Sequence, residues 1–410
     1  MLKLLPLFLL LPFAPLGDAE IIWAAADAYV ADGDLAKAKS ALARFTPARV
    51  AEILRAGRPG AIGKAGETTL KLKDAYGTES DCIIWAPAKV TKPAGVILLL
   101  HGMGGDARKA LQGRWYEAFA TANNCILAAP SGVKMAGEGR AEDDPAGGDP
   151  LSWCIRPGSI VFALLREVRR TYPVDDDRIY VSGYSMGGFG TQRIGFRYPD
   201  RFAAIVAFAG GLSYTEYAGT GGDPKIRPLV ENGKGLPVYL CHGDADSVVP
   251  CRFDRQTRDD MKAFGAECVY VEVPGAGHGL DVGGSLMKGI APWMKEKKRT
   301  AHPKKITFIS AGDYASSAWW VKVDGAAGAR IVAEVKAKNV IEVSAKDVEK
   351  LTIYVDETLH DLAKPLTITS GGKELFKGKV DESTDVVLDS FRAREDKGLV
   401  YRAKIVVTPK

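Results

Sequence analysis

The chain has 410 residues, 46% hydrophobic and 26% charged, with a formal net charge of +5 at pH 7. This length indicates two or three domains, and the composition excludes a disordered or fibrous protein. The small net charge, without a long basic run, gives no indication of a nucleic-acid partner.

The first nineteen residues differ from the rest of the chain. Lys3 supplies a positive start, residues 4–16 are almost wholly apolar, and residues 17–19 are Gly-Asp-Ala. This layout is typical of a secretory signal peptide, and the run is too short to span a bilayer comfortably. We therefore expect a signal peptide over residues 1–19 and a mature protein that is secreted or periplasmic, without a membrane span. An uncleaved anchor or a buried helix is the alternative.

Export permits disulfide bonds. The sequence does not choose a pairing among the cysteines, which are Cys82, Cys125, Cys154, Cys241, Cys251 and Cys268. No C-x-x-C or H-x-x-H pair occurs, so the spacing indicates no zinc site, and we expect no metal or cofactor.

Residues 20–65 are predicted to form a helical N-terminal segment, with apolar residues at helical spacing and a break at residues 32–34. It resembles half of a tetratricopeptide-type helical hairpin. One such unit cannot bury its own apolar face, so we expect it to pack on the domain that follows.

Residues 66–297 alternate between short β patterns and helical patterns. The run GVILLLHG, residues 95–102, is continuously apolar, as expected of a strand buried on both faces of a parallel sheet. Further strands are predicted for TTLKL, DCIIWAPA, CILAAPSG, RIYVSGYS, AAIVAFAGG, PVYLCHGD and CVYVEVPG. Helical segments between them predict an α/β domain, a mostly parallel sheet with helices on both faces.

From residue 303 the pattern changes to short alternating strands, which predict an all-β sandwich over residues 303–410, after a linker at 296–305. Trp319 and Trp320 should point to opposite faces of a strand. We favour core packing or docking for both, and an exposed glycan-binding tryptophan is the alternative. Because every strand of the first sheet precedes residue 297, we expect a chain ending near Lys298 to fold and keep activity.

The sequence GYSMG, residues 183–187, follows a predicted strand and opens a predicted helix. That is the setting of a nucleophile elbow, in which Gly183 and Gly187 leave room for a sharp turn at Ser185. Ser185 would then project at the carboxyl edge of the sheet, where ligands bind in open α/β sheets. We therefore predict Ser185 as a nucleophile.

His278 follows the last strand of the sheet, and its loop returns to the same edge. We predict it as the general base. The acid that orients the imidazole should come from the loop after the preceding strand, in CHGDADSVVP. Asp244 and Asp246 both fit, and the residues alone do not separate them.

Two segments resemble known families. HGDADSVVP, residues 242–250, resembles the H-G-x-x-D-x-x-V-P segment of acyl-protein thioesterases and related carboxylesterases. Residues 174–211 are similar to secreted feruloyl esterases and polyhydroxybutyrate depolymerases. The resemblance implies an α/β-hydrolase fold with Asp246 as the acid. It also implies that HGMGG, residues 101–105, supplies the backbone N–H of Met103, which binds the oxyanion together with the N–H of Met186.

These features predict a secreted serine esterase that cleaves carboxylic esters through an acyl-enzyme, with short or aromatic acyl groups on a carbohydrate or polymer. The connections 131–158 and 211–236 carry no apolar lid, so we expect an open, polar pocket. Trp115 and Trp153 are candidates for stacking on a substrate ring, although buried packing is the commoner role. A prolyl-oligopeptidase-like serine peptidase and a carbohydrate- or surface-binding protein with an inactive hydrolase domain are the alternatives. The ester class and the oligomeric state stay open.

Overall fold

A computed structural model describes residues 17–60, 63–88, 90, 92–112, 115–132, 153, 159–213, 226–312 and 315–409. The predicted signal peptide lies outside these residues up to position 16, and its last two positions fall in the first helix. Some predicted features also lie outside the described residues. These are Cys154, the side chain of Trp115, most of the connection 131–158, and residues 214–225 of the connection 211–236. The cysteines within the described ranges are all free thiols. No helix in those ranges is both long enough and apolar enough to cross a membrane.

The N-terminal helices are α1 (Asp18–Asp32), α2 (Leu35–Leu42) and α3 (Pro47–Ala56). Their ends follow from local chemistry, because the side chains of Asp34 and Thr46 accept hydrogen bonds from the first-turn amides of α2 and α3. Gly33 ends α1 in the left-handed conformation, at φ 75°.

An eight-stranded sheet forms the centre of the molecule. Its strands are β1 (Gly66–Lys73), β2 (Glu79–Ala86), β3 (Ala94–Leu100), β4 (Cys125–Pro130), β5 (Val174–Tyr184), β6 (Ala204–Phe208), β7 (Val238–Gly243) and β8 (Cys268–Val273). They lie in the order β1-β2-β4-β3-β5-β6-β7-β8, antiparallel from β1 through β4 and parallel from β4 onward. Every residue of β3, β4, β6 and β7 is buried, as the continuous apolar runs predict.

Helices cover both faces of this sheet. They are α4 (Ala107–Gln112), α5 (Trp115–Asn123), α6 (Ser159–Thr171), α7 (Met186–Arg197), α8 (Arg252–Ala263) and α9 (Met287–Lys295), with short 3₁₀ helices at Pro199–Arg201 and Arg227–Gly235 and a π-helical turn at Val282–Leu286. The segment 227–235 was predicted as part of an overhanging loop, but it is a helix that is largely buried.

The C-terminal region contains two further sheets. One has the order β10-β11-β14-β17 and the other β16-β15-β13-β12-β9. The strands are β9 (Lys305–Ile309), β10 (Ser317–Ala318), β11 (Val321–Asp324), β12 (Arg330–Ala337), β13 (Val340–Lys346), β14 (Lys350–Val355), β15 (Leu366–Ser370), β16 (Lys373–Gly378) and β17 (Ala403–Val407). The region is β-rich but not all-β, because the helix α10 (Thr384–Arg394) precedes β17 and the 3₁₀ helix Lys397–Leu399 follows α10.

The N-terminal helices pack on α10 rather than mainly on the central sheet. Trp23, Ile53 and Leu54 share one buried cluster with Leu388 and Phe391. These helices thus bury their apolar face on another element, as predicted. That element is α10, which lies more than 300 residues away along the chain and was not expected from the sequence.

The C-terminal region is docked on the central sheet through a buried polar interface. Arg299, predicted to lie in a linker, is 6% exposed and its guanidinium contacts Asp177 at 3.0 Å and Asp396. Trp319 and Trp320 are both buried, and the Trp319 amide donates to Asp200 Oδ2 at 2.9 Å. The two regions are therefore joined by ion pairs and hydrogen bonds in which Arg299, Asp396 and Asp200 are buried.

A second contact joins the helix 227–235 to the C-terminal sheets. Asn232 and Ile309 exchange two hydrogen bonds of 2.7 and 3.0 Å, and Glu231 forms an ion pair with Arg330. The Arg330 guanidinium, despite opposing burial, holds the pKa of Glu231 at about 2.

Candidate active site

Ser185 lies in the sharp turn between β5 and α7. Its backbone has φ 57° and ψ −118°, a left-handed conformation that is costly for a residue with a Cβ. A Cβ on Gly183 or Gly187 would lie 2.3 or 2.1 Å from a backbone oxygen. The Ser185 amide donates to the Phe208 carbonyl at 2.9 Å. The turn is thus fixed by close backbone packing, and it carries Ser185 at the carboxyl edge of the sheet.

The loops after β7 and β8 bring Asp246 and His278 to this serine. His278 Nε2 lies 3.0 Å from Ser185 Oγ, and His278 Nδ1 lies 2.7 Å from Asp246 Oδ2. Asp246 can only accept when ionised, so Nδ1 carries the proton and Nε2 is free to accept from the serine hydroxyl. The structure therefore brings all three predicted residues into one hydrogen-bonded row.

Asp246 and Asp244, which the residues alone did not separate, have different surroundings. The Asp246 side chain is fully buried, and its Oδ1 accepts from the amides of Val248 and Val249 at 2.8 Å each. Burial raises the pKa of this carboxyl, but the hydrogen bonds from His278, Val249 and Val248 outweigh it, so the pKa falls below its usual value.

Asp244 is exposed, and its Oδ1 accepts from the Gly275 amide at 2.6 Å. The neighbouring Ala245 amide donates to the Ala276 carbonyl at 3.0 Å. Asp244 thus braces the loop that carries His278 and does not touch the imidazole itself in the contacts described.

The turn at residues 102–105 lies beside the serine. A Cβ on Gly102 would lie 3.7 Å from the Ser185 Cβ, and the Gly105 amide closes the turn on the Gly102 carbonyl at 3.0 Å. Met103 is 69% exposed at the tip of this turn, whereas Met186 is buried at the start of α7. Both predicted oxyanion donors therefore belong to backbone next to Ser185.

His101 supports this turn, a role that sequence reasoning missed. Its Nε2 accepts from the Gly132 amide at 2.8 Å, so Nδ1 carries the proton and donates to the Gly102 carbonyl at 2.8 Å. The carbonyl of Gly102 and the N–H of Met103 belong to one planar peptide group, so this bond orients both. Burial lowers the pKa of His101 and favours the neutral ring. The H-G pair at the end of β3 was the available signal.

Tyr184 is a second residue that the sequence analysis overlooked. Its hydroxyl contacts the His278 carbonyl and accepts from the Leu280 amide at 2.9 Å, and its ring lies edge-on to the imidazole at 5.6 Å. Tyr184 therefore holds the backbone of the His278 loop. Trp153 is buried and donates to the His101 carbonyl at 3.0 Å, so it packs under the site.

A cavity of about 190 Å³ opens beside the turn at residues 102–105. Its walls are mostly apolar, from Leu99, Leu111, Leu127 and Phe208, and Tyr116 and Ser182 contribute hydroxyls. The described lining is therefore apolar rather than polar, contrary to the expectation from sequence, and an apolar pocket with a few polar groups is typical of a small-ligand site.

The strand order, with the serine after β5, the aspartate after β7 and the histidine after β8, defines an α/β-hydrolase. The fold is therefore that of the α/β-hydrolases, and residues 162–290 match the sequence profile of the phospholipase/carboxylesterase family. The fold and family support an ester hydrolase.

Curated relatives carry esterase names. Acyl-protein thioesterase 1 of Neurospora crassa is 26% identical over 46% of this chain and 82% of its own length. Feruloyl esterase B of the same fungus is 30% identical over 37% of this chain and 51% of its own length. A bifunctional acetylxylan esterase/xylanase of Neocallimastix patriciarum is 24% identical over 43% of this chain. The chain thus spans most of the thioesterase, about half of the feruloyl esterase and 23% of the bifunctional enzyme.

Solved structures are similar over more than half of the chain. A ferulic acid esterase from Anaeromyces mucronatus has a TM-score of 0.46 at 17% identity, covering 60% of this chain and 94% of that chain. A thermostable esterase has a TM-score of 0.44 at 22% identity, covering 57% of this chain and 63% of that chain.

Proposed function

We propose that this protein is an exported serine esterase that hydrolyses carboxylic esters through an acyl-enzyme on Ser185. One observation carries the proposal: the continuous chain of hydrogen bonds from Ser185 Oγ through His278 to the buried, ionised Asp246. The family match supplies the reaction class. The apolar residues 4–16 motivate export, and one relative is named as a secreted protein.

In the first half-reaction Ser185 Oγ attacks the ester carbonyl while His278 Nε2 takes the hydroxyl proton. Asp246 stabilises the imidazolium that forms. The N–H groups of Met103 and Met186 bind the negative oxygen of the tetrahedral intermediate. The imidazolium then protonates the leaving alcohol, and water, activated by the same base, releases the acid. These steps need no metal or cofactor.

Short or aromatic acyl groups, attached to a carbohydrate or polymer, are the proposed substrates. The cavity beside the 102–105 turn is apolar but limited to about 190 Å³, which suits an aromatic ring or a short chain better than a long lipid. The names of the feruloyl and acetylxylan esterase relatives agree with this substrate class.

A fluorophosphonate probe tests the nucleophile directly. We expect the probe to label the wild-type protein at Ser185 and expect Ser185→Ala to abolish both labelling and turnover of short p-nitrophenyl esters. Ser247→Ala, at an exposed serine beside Asp246, is the matched control and should keep both. Labelling without any ester turnover would favour a peptidase, and folded protein that is not labelled would favour a binding protein.

A panel of acetyl, feruloyl, glucuronoyl, hydroxybutyrate and thioester substrates tests the acyl preference. We expect turnover to fall for acyl chains longer than about eight carbons, because the cavity is small. A preference for such long chains would contradict the proposed substrate class.

A further inference from the structure

A second histidine lies behind the triad, on β7. His242 is fully buried, its Nδ1 lies 2.7 Å from Asp254 Oδ2, and its Nε2 lies 2.7 Å from the Val249 carbonyl oxygen. Nε2 is also 3.4 Å from Oδ2 of Asp246, the oxygen that His278 contacts. One carboxylate oxygen is therefore approached by two imidazole rings.

The partners of His242 require protons on both ring nitrogens. A carbonyl oxygen only accepts, so Nε2 must donate to Val249, and an ionised Asp254 likewise requires a proton on Nδ1. The Gln192 amide donates to the other oxygen of Asp254 at 2.6 Å, which favours the ionised carboxylate. Gln192 is itself fixed by Thr257, whose hydroxyl lies 3.0 Å from the amide oxygen.

Charge around the ring agrees with this assignment. Burial lowers the pKa of His242, but Asp254, the Val249 carbonyl and Asp246 outweigh it and raise the pKa above its usual value. A charge buried without a partner is strongly unfavourable, whereas this imidazolium lies between two carboxylates.

The other titratable groups near Asp254 are uncharged at neutral pH or paired. Burial raises the pKa of Cys241 on β7 and that of Cys268 on β8, the latter to about 12, and it also raises the pKa of Tyr270. On β8, Glu272 forms an ion pair with Arg255 of α8. Among the described groups that act on this ring, the charges are thus the two aspartates.

We propose that His242 is an imidazolium that serves as a positioning residue for the triad acid. It holds the Asp246 carboxylate in place and partly neutralises the negative charge that His278 experiences. The proposal rests on the proposed esterase function. His242 touches neither the serine nor the substrate, so its effect on catalysis passes through Asp246.

The consequence is a pH effect with a definite sign. A negative carboxylate beside His278 favours its protonated form, which cannot act as a base. The positive ring of His242 weakens that effect, so the free base persists to lower pH. Loss of the His242 charge should therefore move the acid limb of the kcat/KM profile to higher pH. A direct neighbour shifts a pKa by 1–3 units, so an effect transmitted through Asp246 should be smaller, roughly 0.5–1 unit.

Asp254→Asn is the variant that removes the positive charge of His242 while it keeps the imidazole ring. The amide lets His242 stay neutral, with Nε2–H still donating to Val249. We expect the acid limb of the kcat/KM profile on a p-nitrophenyl ester to move to higher pH by roughly 0.5–1 pH unit. Thr257→Val is the matched control, because it removes a buried hydroxyl from the outer end of the same network. It should lower the melting temperature but leave the acid limb in place. An acid limb that Asp254→Asn leaves unchanged, or that both variants move equally, would overturn the proposal.

Imidazole ¹⁵N NMR of the full-length wild-type protein measures the charge without using activity. We expect the His242 ring, assigned with His242→Gln, to show the pattern of a doubly protonated imidazole at pH 7.5, about one unit above the ordinary histidine pKa. A singly protonated ring would overturn the proposal, even if the esterase is active. A wild-type protein with no esterase activity would refute the proposed function instead, and the NMR result would still report the His242 charge.

Discussion

Asp246→Asn gives the sharpest test of the triad, because the surroundings dictate which way the new amide must turn. The amides of Val248 and Val249 both donate to Oδ1, so an oxygen has to remain there. The amide nitrogen must then face His278 Nδ1, where it donates a proton. His278 responds by carrying its own proton on Nε2, which can no longer accept from Ser185.

The size of the effect follows from losing the productive tautomer. In serine proteases the same substitution lowers kcat by about 10⁴-fold, or ~5.4 kcal/mol in activation free energy. We expect a loss of that order in kcat for p-nitrophenyl acetate, with little change in KM. Steady-state kinetics at pH 7.5 gives both constants, and circular dichroism checks the fold.

Asp244→Asn is the matched control, since the same chemical change falls two residues away. The amide oxygen can still accept from Gly275, and its nitrogen can turn to solvent. We expect kcat within about threefold of wild type, because exposed polar contacts contribute little. If Asp244→Asn were the damaging variant, the acid assignment would be wrong although a triad would survive.

Three further predictions concern stability. Gly187→Ala should abolish folding or labelling by the fluorophosphonate, because the alanine Cβ would lie 2.1 Å from the Leu100 carbonyl oxygen. A folded, active variant would contradict the close backbone packing of the turn at Ser185. A chain ending at Lys298 should be insoluble, because it lacks Trp319 and its neighbours and would expose the surface that they bury. This is the opposite of the expectation from sequence, and soluble, active protein in gel filtration would contradict it. Burial lowers the pKa of His360 from 6.5 to about 4. The unfolded chain therefore binds a proton at His360 more readily than the folded protein does, so the free energy of unfolding falls by about 2 kcal/mol between pH 7.5 and pH 5. The melting temperature of His360→Leu should depend less on pH than that of the wild type. An unchanged pH dependence would refute the role assigned to His360.

The inner strands of the central sheet could be predicted because they are buried on both faces. Such strands are continuous apolar runs, as in GVILLLHG, and they stand out from the helices between them. The position of Ser185 followed from the same pattern, since the motif joins a strand to a helix. Strand-end residues in an α/β sheet meet at one edge, which explains why His278 and the pair Asp244 and Asp246 could be named as candidates. The choice of Asp246 within that pair came from the resemblance of residues 242–250 to acyl-protein thioesterases.

The helix α10 could not be recognised with the same reasoning. Its buried residues, among them Val387, Leu388 and Phe391, are covered by α1 and α3, from the other end of the chain. Tertiary contacts of this kind override local patterns, and a run of strands before it favoured another strand. Ser383, whose hydroxyl accepts from the Asp385 amide, was the local start signal that the pattern offered.

Partners across the fold were equally hidden from the sequence. His242, near the end of β7, is followed by glycine in the same H-G pattern as His101, which comes directly after β3. The His242 ring nevertheless contacts Asp254 on α8, twelve residues further on. Nothing in the spacing distinguishes a histidine that braces a turn from one that is held between two carboxylates. Only the geometry of the partners, carbonyl or amide, fixes which ring nitrogens carry protons.

The place where the C-terminal region is docked argues for a structural contribution rather than a direct catalytic one. Arg299 contacts Asp177 near the start of β5, and Ser185 follows the end of that same strand. At about 3.3 Å per residue, the two positions lie roughly 26 Å apart, at opposite edges of the sheet. Trp319 and Trp320 are both buried, which excludes the alternative of an exposed glycan-binding tryptophan at these positions. The C-terminal region therefore anchors the amino end of the strand that carries Ser185 at its other end, and we expect any effect on the proposed activity to pass through the stability of that strand.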